Sequence, residues 1–187
     1  MEITETLYVK NRTEWRSWLK KNYTTKKEIW LIYYNKRSGK PRISYEDSVE
    51  QALCFGWIDS TMKKLDEDSF AQRFTPRNPK SSYSQLNKER LRILLKQKKV
   101  IASVREIIDK IGIKNYQFPK DILNELKKNK TAWKNFQKFP EPYKRIRIAF
   151  VDGSRNRPDE FKKRLKYLIK MSEANKKFGL RGNEKYY

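Results

Sequence analysis

Ile29-Trp-Leu-Ile-Tyr-Tyr34 is the longest clearly apolar run in the chain, and its shortness constrains the fold. Six residues fall far short of the roughly 20 that span a bilayer, so no transmembrane segment is expected. The run is rich in β-branched and aromatic residues and is bounded by polar clusters, which predicts a central strand. A central strand needs partners, and two follow in the sequence. Trp57–Lys64 and Ser69–Phe74 read as a hairpin joined by the acidic turn Leu65-Asp-Glu-Asp68. Alternation puts Phe70, Gln72 and Phe74 on one face and Ala71 and Arg73 on the other.

Helices flank these strands. Trp15, Trp18 and Leu19 are spaced i, i+3, i+4, predicting a helix over Thr13–Lys21. Ser44-Tyr-Glu-Asp47 has the form of a capping box ahead of Val49, Ala52 and Leu53, and Gly56 supplies a left-handed stop. From Ser82 onward the period is helical throughout. Leu86, Leu91 and Leu94 mark one helix, Val104 and Ile108 a second, and Ile122 and Leu126 a third. Trp133 and Phe136 mark a fourth, Ile146 and Phe150 a fifth, and Phe161, Leu165, Leu168 and Ile169 the last. The predicted fold class is α+β. A small antiparallel sheet with packed helices (residues 1–82) leads into a basic helical half (83–187), the two forming one continuous structural unit.

Charged residues make up 36% of the chain, yet 13% is aromatic, and those aromatic anchors argue against disorder. There is no His, which excludes Ser-His and Cys-His couples and any His-ligated metal. Cys54 is the single cysteine, which excludes an intrachain disulfide and Cys-rich metal sites. Without a His base it reads as a small buried hydrophobe. Asp66, Glu67 and Asp68 could meet a hard cation, but acids at a hairpin tip usually form solvated turns. No metal site and no cofactor are assigned. The opening Met1-Glu-Ile-Thr-Glu5 resembles no secretory signal, so a cytoplasmic protein is expected.

The net charge is +23, and its distribution is uneven. Residues 1–82 hold 16 basic and 11 acidic groups, a balance of +5, and residues 83–187 hold 29 and 11, a balance of +18. Such a field favours an anionic ligand or polyanion, although surface lysines also serve solubility alone. Lys162, Lys166 and Lys170 fall at i, i+4, i+8, with Lys163, Arg155 and Arg157 nearby. They form a candidate phosphate-backbone stripe, with Tyr167, Tyr186 and Tyr187 available for stacking on bases. A solvated helix face is the commoner meaning of such a stripe, so nucleic acid is the less favoured partner. The chain shows no phosphate loop or nucleophile elbow.

The densest stretch is Ala52-Leu-Cys-Phe-Gly-Trp-Ile-Asp-Ser60, followed by Arg73-Phe-Thr-Pro-Arg77 and Ser82-Tyr-Ser-Gln-Leu-Asn-Lys88. Phe55 and Trp57 read as core. Arg73 and Arg77 bracket a proline and could fork onto a carboxylate or phosphate, or Arg73 could pair internally with Asp59. Ser84 and Asn87 add donors at a helix start. With Asp59 and Ser60 they make the candidate anion site. These segments, with Glu28-Ile-Trp-Leu31, Lys36-Arg-Ser-Gly39 and Ile43-Ser-Tyr-Glu46, resemble the YdeI/OmpD-associated family. Residues Lys144–Arg164 resemble it more loosely, and Tyr83 stands where that family commonly has Trp. The resemblance implies a link to bacteriocin protection or an outer-membrane protein, and brings no catalytic residue set. A non-enzymatic binding or protection protein is therefore expected. The alternatives are a nucleic-acid-binding protein and an enzyme using Asp59 or Asp66 as base beside an arginine.

Overall fold

Ile29–Tyr34 forms strand β2 with four of its six residues buried and the other two half-buried, as a strand covered on both faces requires. The computed structural model describes residues 2–111, 113 and 116–179. Tyr186 and Tyr187 lie outside the described residues. The sheet order is β1-β2-β4-β3, with β1 at Thr6–Tyr8, β3 at Trp57–Lys64 and β4 at Ser69–Pro76. β2–β4 and β4–β3 are antiparallel. The sheet is mixed because β1 lies parallel to β2, pairing Thr6 with Trp30 and Tyr8 with Ile32. Three residues are too few to show an alternation, so this edge strand leaves no mark in the sequence.

The first two helices start on side-chain caps. Asn11 accepts from the amides of Thr13 and Glu14, both at 3.0 Å, and opens α1 (Arg12–Asn22). Ser44 accepts from the Asp47 amide at 3.0 Å and opens α2 (Tyr45–Cys54). Trp15 and Leu19 of α1 are fully buried, and the Trp15 indole donates to the Ser48 carbonyl of α2. Tyr33 of β2 donates to the Ser48 hydroxyl and stacks on Phe70 of β4, locking helix and sheet together. Gly56 closes the helix at φ +73°, and a Cβ there would meet Val104 at 3.0 Å. Any side chain there would be strained by the backbone and crowded by Val104.

Helix α3 (Gln85–Lys96) is followed by α4 (Ala102–Ile111), α5 (Lys120–Lys128), α6 (Lys130–Lys138), α7 (Glu141–Asp152) and α8 (Pro158–Glu173). The chain divides into two compact units: residues 1–83 with 90–111, and residues 84–89 with 112–187. α3 crosses this division, its first turn belonging to the second unit. In the second unit Ile122, Leu126, Phe136, Tyr143, Ile148, Val151 and Leu168 form the core. Asn129 ends α5 and caps α6 by accepting from Ala132 at 2.9 Å. Among the described residues, no helix is long and apolar enough to cross a membrane.

The end of α3 is unusual. Lys99 N–H donates to Leu94 and Lys98 N–H to Leu95, the paired bonds of a Schellman turn. That turn needs a left-handed residue, and Lys98 supplies it at φ +55°. A side chain in this region costs about 1–2 kcal/mol, while glycine adds roughly 0.5–1 kcal/mol of unfolded-state entropy. Lys98→Gly is therefore expected to stabilise the protein by about 0.5–1 kcal/mol in urea titration.

Candidate functional site

Asp59 stands opposite Phe74 in the β3–β4 ladder, immediately before a bulge that runs to Met62. Tyr45, first residue of α2, donates its hydroxyl to Asp59 Oδ2 at 2.6 Å. Burial, then the Asp59 bond, pushes the Tyr45 phenol above its ordinary range, so the shared proton stays on the tyrosine. Ser60 is exposed, and its carbonyl accepts from Gln72 Nε2 at 2.9 Å. Tyr45 belongs to this pair and carries no assignment from sequence, because nothing local links the start of α2 to the end of a motif 14 residues later.

The internal Asp59–Arg73 pair does not form. Arg73 neighbours Phe74 in the strand, so its side chain leaves on the opposite face from the residue that Asp59 opposes. There it forks onto Glu28, with Nε at 2.8 Å. The Thr4 hydroxyl and then Arg73 hold the Glu28 carboxyl below its ordinary 4.5. A carboxyl depressed in the folded chain contributes stability that is present above that ordinary value and lost as pH falls through the folded one. Glu28→Gln should therefore destabilise the protein at pH 7, with the gap to wild type closing as pH falls below the ordinary carboxylate range in thermal melts.

Arg77 does not join Arg73. Its amide donates to the Gly56 carbonyl at 2.8 Å, and its guanidinium lies 3.7 Å from the Tyr83 ring centre while donating to the Ser81 carbonyl. The adjoining cavity is about 40 Å³, room for a water or two. Ser84 accepts from the Asn87 amide at 3.3 Å and acts as a cap. Asn87 is buried at 8% exposure.

Other candidates are also placed. Cys54 is fully buried, and burial raises its thiol pKa, which keeps it protonated and unreactive. At the hairpin tip Asp66 accepts from the Asp68 amide at 2.7 Å, and Asp68 pairs with Arg37 at 2.6 Å. Among the described residues no group of three or more acids or cysteines is arranged to hold a metal ion.

In the second unit, Arg155 is committed to Asp121 at 2.9 and 3.0 Å and to Asp152 at 2.6 Å. Arg157 is exposed at the start of α8. Lys162, Lys163, Lys166 and Lys170 are exposed along α8, and Tyr167 between them is 46% exposed. A similar spacing occurs in α1, where Arg12, Arg16 and Lys20 repeat at i, i+4, i+8. That signal was available in the sequence but lay outside the motif-rich stretch.

Residues 7–106, more than half of the chain, match the family model described as Domain of unknown function (DUF8412). The chain belongs to this family. Residues 115–175 match the model described as Bacteriocin-protection, YdeI or OmpD-Associated. The YdeI/OmpD-associated resemblance is thus shown, with its model on the helices α5–α8. The Ala52–Ser60 and Arg73–Arg77 motifs lie within the DUF8412 match. No curated protein and no solved structure matches the chain.

Proposed function

We propose that this DUF8412 protein is a non-enzymatic binding protein whose partners are anionic, and that the protective role named in its C-terminal family match operates by such binding. The supporting observation is how the motif residues are used. Asp59 is bonded to Tyr45, Arg73 to Glu28, and Arg77 to Tyr83 and Ser81. The groups that an enzyme would need as base and oxyanion donor are spent inside the fold, while lysine ammonium groups face solvent. The direct test titrates the intact chain with inorganic pyrophosphate, citrate and sulfate by calorimetry at about 150 mM salt, where exposed charges are screened beyond roughly 8 Å. Saturable binding of at least one anion is expected, and Asp59→Asn should leave it within about twofold. Absence of saturable binding to all three would overturn the proposal.

The exposed lysines of α8 around Tyr167 favour a second reading, binding of single-stranded nucleic acid. At low salt a chain of this charge binds DNA or RNA on electrostatics alone. A built site would keep measurable affinity near 150 mM salt. Its log–log salt slope would flatten by about two units in the Lys162/Lys166/Lys170 triple-Ala variant. The leading reading expects affinity to vanish by that salt, with the slope spread over lysines throughout the chain.

A further inference from the structure

Arg12, Arg16 and Lys20 share one face of α1 because they recur every four residues. That face, Gln51 of α2 and the Lys98–Lys99 turn line an open groove of about 430 Å³. Five cations line it and no carboxylate does. The volume falls within the range of small-molecule sites.

The two arginines are fixed by the protein. Arg12 divides between Asp47 at 2.9 Å and Glu50 at 2.6 Å. Arg16 donates to Gln51 Oε1 and to the Lys99 carbonyl, both at 2.9 Å. Those acceptors are neutral, so the Arg16 charge is positioned without being cancelled. Among the described residues, the ammonium groups of Lys20, Lys98 and Lys99 have no ion-pair partner. Both acids are spent on Arg12, so the five cations and two acids leave a net local charge of +3.

Lys98 adds a second, independent observation. It occupies the left-handed position of the Schellman turn, where glycine is the usual residue, and it is one of the residues that line the groove. The fold carries backbone strain there that a glycine would relieve, and in exchange keeps a cation at the groove. Strain held beside a cation-lined groove points to a functional position.

We propose that this groove binds a small soluble compound with two linked phosphate groups. Such a group carries about three negative charges near neutral pH, matching the net charge of the groove and its two acids. Its oxygens can accept from compact ammonium groups and from one pre-positioned guanidinium. The inference rests on the anion-binding reading above and adds both the place and the ligand class.

The test uses the intact chain and the same three anions. Pyrophosphate is expected to bind at least about tenfold more tightly than citrate or sulfate. The Lys20→Gln/Lys98→Gly double variant should weaken pyrophosphate by about tenfold or more, while the α8 triple-Ala variant stays within about twofold. Lys98→Gly alone should melt at a higher temperature and still bind pyrophosphate more weakly, a combination that a misfolded variant cannot produce. Citrate binding as tightly as pyrophosphate would overturn the phosphate assignment. Equal losses in the α8 and groove variants, or no loss in the groove variant, would overturn the location. In each of these cases the anion-binding reading survives; it falls only if none of the anions saturates.

Discussion

Trp57→Ala is expected to destabilise the first unit by about 3–5 kcal/mol, the cost typical of deleting a fully buried large aromatic. The indole is 1% exposed, sits edge-on to Trp18 at 5.8 Å between ring centres, and donates to the Tyr23 carbonyl at 3.1 Å. Truncation removes buried apolar area, leaves a cavity beneath α1 and strands that carbonyl. Trp57→Phe keeps most of the area and loses only the hydrogen bond, so it should cost distinctly less. Urea unfolding of both variants checks the order. A Trp57→Ala variant as stable as wild type would mean that the ring serves recognition and not the core.

Arg145→Met should cost about 3 kcal/mol for an electrostatic reason. Arg145 of α7 forks onto Glu89, with both bonds at 2.8 Å, and Glu89 is only 3% exposed. The Glu89 carboxylate raises the Arg145 pKa, which ties the guanidinium charge firmly to this partner. Met keeps the stem's volume while removing the cation, so the buried carboxylate loses the two charge-assisted bonds of this pair. The Glu89→Gln/Arg145→Met double variant removes both charges and should be more stable than Arg145→Met alone. Additive losses in the double-mutant cycle would contradict the pair's assigned role.

These two positions differ in how legible they are. Trp57 announces itself from sequence, as a large aromatic following a helix-stopping glycine and opening a strand. The same holds for β2, the hairpin and the capped α2, whose signals are local: a β-rich run, an acidic turn and a capping box. Glu89 and Arg145 are 56 residues apart, and nothing in either segment points to the other. β1 was illegible because three residues carry no period. The proposed internal partner of Arg73 failed for a geometric reason, since pleat alternation sends it to the face opposite Asp59 and onto Glu28. The motif stretch is dense because it builds a helix end, a strand and a turn, and density of motif residues was a poor guide to free polar groups. The periodic cations of α1 were visible, but their convergence with Lys98 and Lys99 depends on a turn more than 75 residues away.

The central claim is that anionic partners meet the lysine- and arginine-lined surface and not the motif residues. Amide shifts of the intact, isotope-labelled chain during a pyrophosphate titration at about 150 mM salt test it most directly. Saturable shifts are expected at residues 12–20, 51 and 97–100, with Asp59, Ser60, Arg73 and Arg77 unmoved. Saturable shifts centred on those four residues, with the groove silent, would contradict it.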